Sequence, residues 1–320
     1  MLPVPWDSTV SYHTGAAKGP NAILEASPQL DFHLPAFPEA WRVGYALERP
    51  LASVAELNTE MGPVRDEFMR AQETENNNHT HLQHLRKRLN DASEKVLMAV
   101  NEASTRLLTQ GKSVGVIGGE HSAPLGLLQA LGTREPGFGI LQLDAHADLR
   151  NAFMGLKHSH ASIMFNALEL KGLQKLVQVG LRDVCQEEAQ LAKADSRVDW
   201  FTQADLNNWL FGGSTWHALC QTIVKKLPQR VYVSFDIDGL DPSLCPHTGT
   251  PVPDGLGFGQ AMYLLEQVVA SGRTIIGFDL CEVAPHPTDP HNDFDANVGA
   301  RVLWRLCTLL AASKGLKPLL

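Results

Sequence analysis

With 320 residues, 44% of them hydrophobic and 19% charged, the chain has an ordinary globular composition and length for one large α/β domain or two smaller ones. Its formal charge of −8 provides no basic field for nucleic acid and mildly favours a cationic ligand. Five cysteines, Cys185, Cys220, Cys245, Cys281 and Cys307, form no C-x-x-C pair and are odd in number, which fits small buried hydrophobes in a reducing compartment.

The opening stretch, Met1 to Trp6, lacks a basic leader and an apolar core of signal length. No later run approaches the ~20 apolar residues that span a bilayer. A cytoplasmic protein with no membrane partner is therefore expected. The next distinctive stretch, Glu60 to Asn90, is polar and carries Glu75, Asn76, Asn77, Asn78, His79, Thr80, His81 and His84 in quick succession. It is expected to be a surface loop leading into a helix. Its H-x-H-x-x-H spacing has no carboxylate or cysteine to complete a ligand set, so a solvated helix entry accounts for it better than a metal site does.

From Glu94 to Thr109, Val96, Leu97, Val100, Ala103 and Leu107 form one apolar stripe and predict a helix. A second such stripe, Met262, Leu265, Val268 and Val269, predicts a helix over Gly259 to Ala270. Between and around them lie short, nearly all-apolar runs that end in small or acidic residues: Val114 to Ile117, Phe138 to Leu143, Lys175 to Val179, Val231 to Phe235 and Thr274 to Phe278. Such runs read as strands buried on both faces. Strand and helix in alternation predict an α/β fold in three layers, α/β/α, around a mostly parallel sheet. No repeat or Gly/Ser linker divides the chain, so a single domain over 1–320 is expected. Sheets of this kind place their sites at the carboxyl ends of the strands.

Three of the predicted strand ends carry acids and histidines. Asp144, His146 and Asp148 follow Phe138 to Leu143 at alternate positions, which at a strand end project to one side. Asp236 and Asp238 repeat that alternation after Val231 to Phe235. After Val114 to Ile117, Gly118 and Gly119 are expected to let the backbone turn and aim His121 across the strand ends. Each motif alone also suits a cap or a turn. Capping does not predict His and Asp at alternate positions on three strand ends of one sheet. Four carboxylates gathered in one buried place repel one another and lose hydration, and two divalent cations remove that difficulty. An oxygen-rich set with two imidazoles and no thiolate suits manganese, with nickel as the alternative.

These stretches resemble the ureohydrolases, the family of arginase, agmatinase, guanidinobutyrase and formimidoylglutamase. The resemblance rests on Gly118-Gly119-Glu120-His121-Ser122, Asp144-Ala145-His146-Ala147-Asp148, Ser234 to Pro242, Thr248-Gly249-Thr250-Pro251 and Glu282-Val283-Ala284-Pro285, with support from Asp7-Ser8 and Gly15 to Ala26. It covers most of residues 1–30 and 112–310, and little of 48–100. It implies an arginase-like fold, a homo-oligomer (trimer or hexamer) and a two-ion site. One ion would be held by His121, Asp144, Asp148 and Asp236, the other by Asp144, His146, Asp236 and Asp238, with Asp144 and Asp236 bridging.

By the same resemblance Glu282 would bind a guanidinium, and His160 would shuttle a proton near the leaving amine, with His158 a competitor for that role. Asp148 would orient the attacking hydroxide. Asp241-Pro242 is expected to shape its loop rather than bind metal. The implied reaction is hydrolysis of a guanidino compound to urea. Because the loop Leu149 to Lys157 lacks the Thr/Ser/Asn cluster with which arginases grip an amino acid, agmatine is the preferred substrate, with guanidine, guanidinobutyrate and formimidoylglutamate open. Arg150 could meet a substrate carboxylate or a neighbouring acid or carbonyl at the rim, and the second fits a cationic substrate better. A metal-binding pseudo-enzyme is the alternative of a different class.

Overall fold

A computed structural model describes residues 1–73 and 79–316. Its strands are β1 (Leu2–Val4), β2 (Val114–Gly118), β3 (Phe138–Leu143), β4 (Leu173–Leu181), β5 (Val198–Thr202), β6 (Arg230–Asp236) and β7 (Thr274–Cys281). They form one sheet in the order β1-β2-β7-β6-β3-β4-β5, and every pairing is parallel. The helices are α1 (Gly19–Ala26), α2 (Ala52–Glu73), α3 (His79–Thr109), α4 (Leu125–Arg134), α5 (Ile163–Leu168), α6 (Gln186–Ala194), α7 (Gln203–Phe211), α8 (Trp216–Lys226), α9 (Phe258–Ala270) and α10 (Phe294–Ser313).

Two hydrophobic clusters, one on each face of the sheet, account for the near-continuous apolar strands. Leu141 and Leu143 of β3 pack with apolar residues of α7 to α10, while Phe138 and Ile140 of the same strand pack with those of α3 to α5. The period-2 alternation of a strand sends successive side chains to opposite helical layers. The three-layer architecture follows directly.

The stretch from Glu60 to Asn90 departs from expectation. Where a loop was expected, α2 runs to Glu73 and α3 begins at His79, while Glu75, Asn76, Asn77 and Asn78 lie outside the described residues. The apolar seam is only one residue wide per turn: Val54, Met61, Val64 and Phe68 on α2 share a cluster with Leu82, Leu85 and Leu89 on α3. A stripe that narrow, in a polar background, gives a weak helical signal, although the same residues join the core cluster on this face of the sheet. His79, His81 and His84 are exposed, and His81 pairs with Glu67 at 2.9 Å.

Other details also differ. Cys220, Cys245, Cys281 and Cys307 are buried, but Cys185 is half-exposed at the start of α6. β7 runs three residues past Phe278, so Glu282 follows it immediately. No helix among the described residues is long and apolar enough to cross a membrane.

Candidate active site

The four strands that end in the acidic and histidine motifs, β2, β7, β6 and β3, are consecutive in the sheet. Side chains from sequence positions far apart are therefore brought to one edge. His121 lies at the centre: its Nδ1 is 3.0 Å from Asp144 Oδ2, 2.9 Å from Asp148 Oδ2 and 3.3 Å from Asp236 Oδ2. His146 Nδ1 lies 3.1 Å from Asp238 Oδ2 and 3.6 Å from Asp144 Oδ1. All four aspartates and His121 are buried.

The backbone reaches this arrangement by means that simple alternation does not supply. Asp148 stands at φ 55°, so a left-handed turn, not the strand period, swings its carboxylate back toward Asp144. Gly118 and Gly119 have no positive φ. They are needed for closeness instead: a Cβ on Gly119 would lie 2.1 Å from Trp6 O, and one on Gly118 2.4 Å from Cys281 Sγ.

The donor set suits a cation on its own chemistry. Ser234 Oγ donates to Asp279 Oδ2 at 2.9 Å, so it receives the hydrogen on His121 Nε2 at 2.8 Å. That leaves Nδ1 facing three carboxylates, and it is a buried atom with no hydrogen bond. An imidazole so oriented by its other nitrogen is the usual state of a metal-ligating histidine. Burial, with Asp144 nearby, pushes the Asp148 carboxyl up to about 7, and burial with Asp238 and Asp144 raises Asp236 well above the ordinary range. Carboxylates this close cannot all stay charged without compensating positive charge. Two groups, His121–Asp144–Asp148 and Asp144–His146–Asp238, each bring three donor atoms within 4.8 Å of one another. The residues fit a pair of cations.

Glu282 is buried at φ 62°, a conformation that costs about 1–3 kcal/mol in a non-glycine residue. Its Oε1 accepts from His121 N at 2.8 Å, its own N–H donates to Gly119 O at 2.8 Å, and its carbonyl accepts from Thr248 Oγ1 at 2.9 Å. A Cβ on Gly249 would stand 3.3 Å from Glu282 Oε2, so glycine leaves that oxygen its space.

His160 lines a cavity of about 150 Å³ together with Ser11, His146, Asp148, Arg150 and Phe153. Its Nδ1 meets Thr9 O at 2.9 Å, which requires the proton on Nδ1 and leaves Nε2 as an acceptor, 3.2 Å from Ser11 Oγ. Burial lowers its pKa to about 4, so the ring is neutral near pH 7. His158 points elsewhere, its Nε2 2.9 Å from Glu94 Oε2 on α3. Arg150 Nε lies 3.7 Å from Glu188 Oε2, and its guanidinium stacks over Phe153 at 4.6 Å. Asp241 closes a turn through Ser243 N at 2.9 Å. A larger cleft of about 740 Å³ between α2 and residues 246–251 holds none of the six donors, so chemistry rather than size locates the site.

Several residues that build the site were not singled out from the sequence. Glu120 is fully buried and accepts from Thr9 N at 2.8 Å, from the Thr9 hydroxyl and from Ser122 Oγ at 2.6 Å, which fixes the segment that in turn holds His160. Arg182 Nη2 donates to Asp238 O at 2.7 Å and Leu240 O at 3.2 Å, and Asp279 anchors Ser234. Glu120 carries the signal of a charge beside His121 and Asp279 that of a charge inside an apolar strand, while Arg182 simply follows the end of β4.

The profile of the arginase family matches residues 1–308. The N(1)-aminopropylagmatine ureohydrolase of Synechocystis sp. is 33% identical over 289 residues, covering 89% of this chain and 81% of that protein. A protein of the same name from Thermus thermophilus is 32% identical over 292 residues, covering 89% and 82%. Among solved structures, the agmatine ureohydrolase of Thermoplasma volcanium superposes with a TM-score of 0.72 at 24% identity, covering 98% of this chain and 90% of that one.

Proposed function

The chain belongs to the arginase family, a hydrolase family acting on amidine C–N bonds, and from that premise we propose that it cleaves an agmatine-like guanidine to urea and an amine at a two-ion centre. The observation that carries this reading is the convergence of His121, Asp144, His146, Asp148, Asp236 and Asp238 on one sheet edge beside a buried carboxylate, Glu282. His121, Asp144, Asp148 and Asp236 would hold one ion, and Asp144, His146, Asp236 and Asp238 the other. Manganese suits this oxygen-rich set best, with nickel second. Bound there, such a pair would supply a hydroxide nucleophile near neutral pH for attack on the guanidinium carbon.

The remaining work belongs to the chain's own side chains. Glu282 Oε2 accepts from the guanidinium N–H groups and holds the trigonal carbon against the ligand cluster. Asp148 orients the attacking oxygen. His160 Nε2, unprotonated at rest, takes up a proton and delivers it to the departing amine nitrogen. Overall, guanidinium and water give urea and the alkylammonium, so atoms and charge balance. Arg150 is already engaged by Glu188 and Phe153, which favours a cationic tail over a substrate carboxylate.

Agmatine is the first substrate to test. The names of the Synechocystis and Thermus relatives favour a second, agmatine extended by an aminopropyl group at N1. Agmatine, aminopropylagmatine, arginine, guanidinobutyrate and guanidine should be compared for urea release with manganese or nickel loaded. One of the two agmatines is expected to lead. A lead by arginine of tenfold or more, about 1.4 kcal/mol, overturns the substrate class. Fully loaded protein that releases no urea from any of them is a metal-binding scaffold instead. We also place it in the cytoplasm, as a homo-oligomer built from single ureohydrolase domains.

A further inference from the structure

Beneath the ligand cluster, a row of polar side chains crosses the sheet that the proposed chemistry does not use. In the strand register Trp200 of β5 stands beside Gln178 of β4, Gln178 beside Gln142 of β3, Gln142 beside Ser234 of β6, and Ser234 beside Asp279 of β7. Gln142 and Gln178 are fully buried. Amides buried inside a parallel sheet are costly unless every donor and acceptor is paired.

Both are fully paired, and the pairing runs in one direction. Trp200 Nε1 donates to Gln178 Oε1 at 2.6 Å. Gln178 Nε2 donates to Gln142 Oε1 at 2.5 Å and to Ala147 O at 2.7 Å. Gln142 Nε2 donates to Asp144 Oδ2 at 2.7 Å and to His146 O at 3.4 Å. An indole N–H can only donate, whereas a glutamine amide can face either way. Trp200 therefore sets the orientation of Gln178, which sets that of Gln142, and Asp144 is met by an N–H rather than by a carbonyl oxygen. Reversing the last amide would set an oxygen against a carboxylate.

We propose that Trp200, Gln178 and Gln142 form a hydrogen-bond relay that positions Asp144 and sets how tightly the site holds its cations. These are positioning residues; none touches the substrate. The relay also clamps the turn from Asp144 to Asp148 through the carbonyls of His146 and Ala147, so one network orients a carboxylate and the backbone that presents its neighbours. On the opposite side of the row, Ser234 and Asp279 do the corresponding work for His121.

The proposal rests on Asp144 being a metal ligand, and the experiment separates the two. Manganese-loaded protein is titrated with a chelator, bound metal is counted, and the metal-free melting temperature is measured in parallel. Asp144→Asn should lose metal outright; if it holds manganese as the parent does, the ligand reading itself falls. Gln142→Leu removes the donor to Asp144. Gln178→Leu removes the donor to Gln142 Oε1, so nothing holds that oxygen away from Asp144. Both should release metal at about 10- to 100-fold lower chelator, the range for groups that support a ligand from behind. Trp200→Phe, the mildest change and the farthest from the site, should shift release by about threefold through the chain of cooperative bonds, more than the loss of metal-free melting temperature expected from the unpaired Gln178 oxygen accounts for. If Asp144→Asn loses metal while all three relay variants release it at the parent chelator concentration, the relay is overturned. A release shift that only tracks lost metal-free stability overturns it equally.

Discussion

Asp236 and Asp241 lie in one short stretch of chain but differ in burial and neighbours. Asp236 is buried 3.3 Å from His121 Nδ1, while Asp241 is partly exposed and closes its own turn through Ser243. Asp236→Ala should lower activity by well over about a hundredfold and reduce bound metal, because groups that merely support a ligand already cost 10–100-fold. Asp241→Ala should keep its metal. Equal metal loss in the two variants sinks the distinction. His160→Ala should reduce kcat by roughly 10²- to 10⁴-fold, the range for a general acid–base group, with little change in KM. His158→Ala, whose parent side chain reaches Glu94 instead, should leave kcat nearly intact. The six candidate ligands were legible because acids and imidazoles at alternate positions beyond apolar strands have few structural explanations, whereas Glu282 came only through the resemblance. Gln142, Gln178 and Asp279 were not legible. Each looks like an ordinary strand residue until the register sets it beside its partner.

Among the elements, β1 and the loop after it have the most influence on the site for their size. Asp7 Oδ2 accepts from Gly15 N at 3.0 Å and Ala17 N at 3.2 Å, while Asn58 and Arg65 of α2 grip the Asp7 side chain at 3.2 Å. Helix α2 therefore steadies the loop that carries Thr9 and Ser11 to His160. This contribution was hidden from the sequence, because α2 and the first part of α3 bury only a narrow apolar stripe and their polar surfaces resemble loop composition. β2 and β1 are packed so closely that Gly119 has no room for a side chain. Gly119→Ala should push Trp6 away, destabilise the fold by about 1–3 kcal/mol and lower turnover through the displaced loop. Gly259→Ala, where the added carbon meets nothing within 4 Å, should leave the melting temperature unchanged or slightly raised. If the two variants melt alike, close approach is not what Gly119 provides.

At the scale of the whole molecule, the parallel sheet was legible because strands buried on both faces have little choice but to be apolar, and that pattern survives in the sequence without any knowledge of order. The order itself was not, since β7 lies between β2 and β6 although it is last along the chain. That crossing is what gathers the acids, and it makes stability depend on the ions. Without cations, the sheet edge holds four buried aspartates, with burial and neighbouring carboxylates pushing Asp148 to about 7 and raising Asp236 well above the ordinary carboxylate range, so protons must be taken up or repulsion borne. The unfolded chain has no such cluster, and therefore metal binds the native state preferentially and stabilises it by mass action. At free manganese a thousandfold above its Kd the gain is about 4 kcal/mol. For a chain of 320 residues each kcal/mol moves Tm by roughly 1.5 °C, so complete chelation should lower Tm by around 6 °C or more and added manganese should restore it. The loss should be smaller in Asp236→Ala, which has less metal to lose. A melting curve that does not move when bound metal falls from two equivalents to none rules out this coupling, and with it the view that the ions complete the native sheet edge.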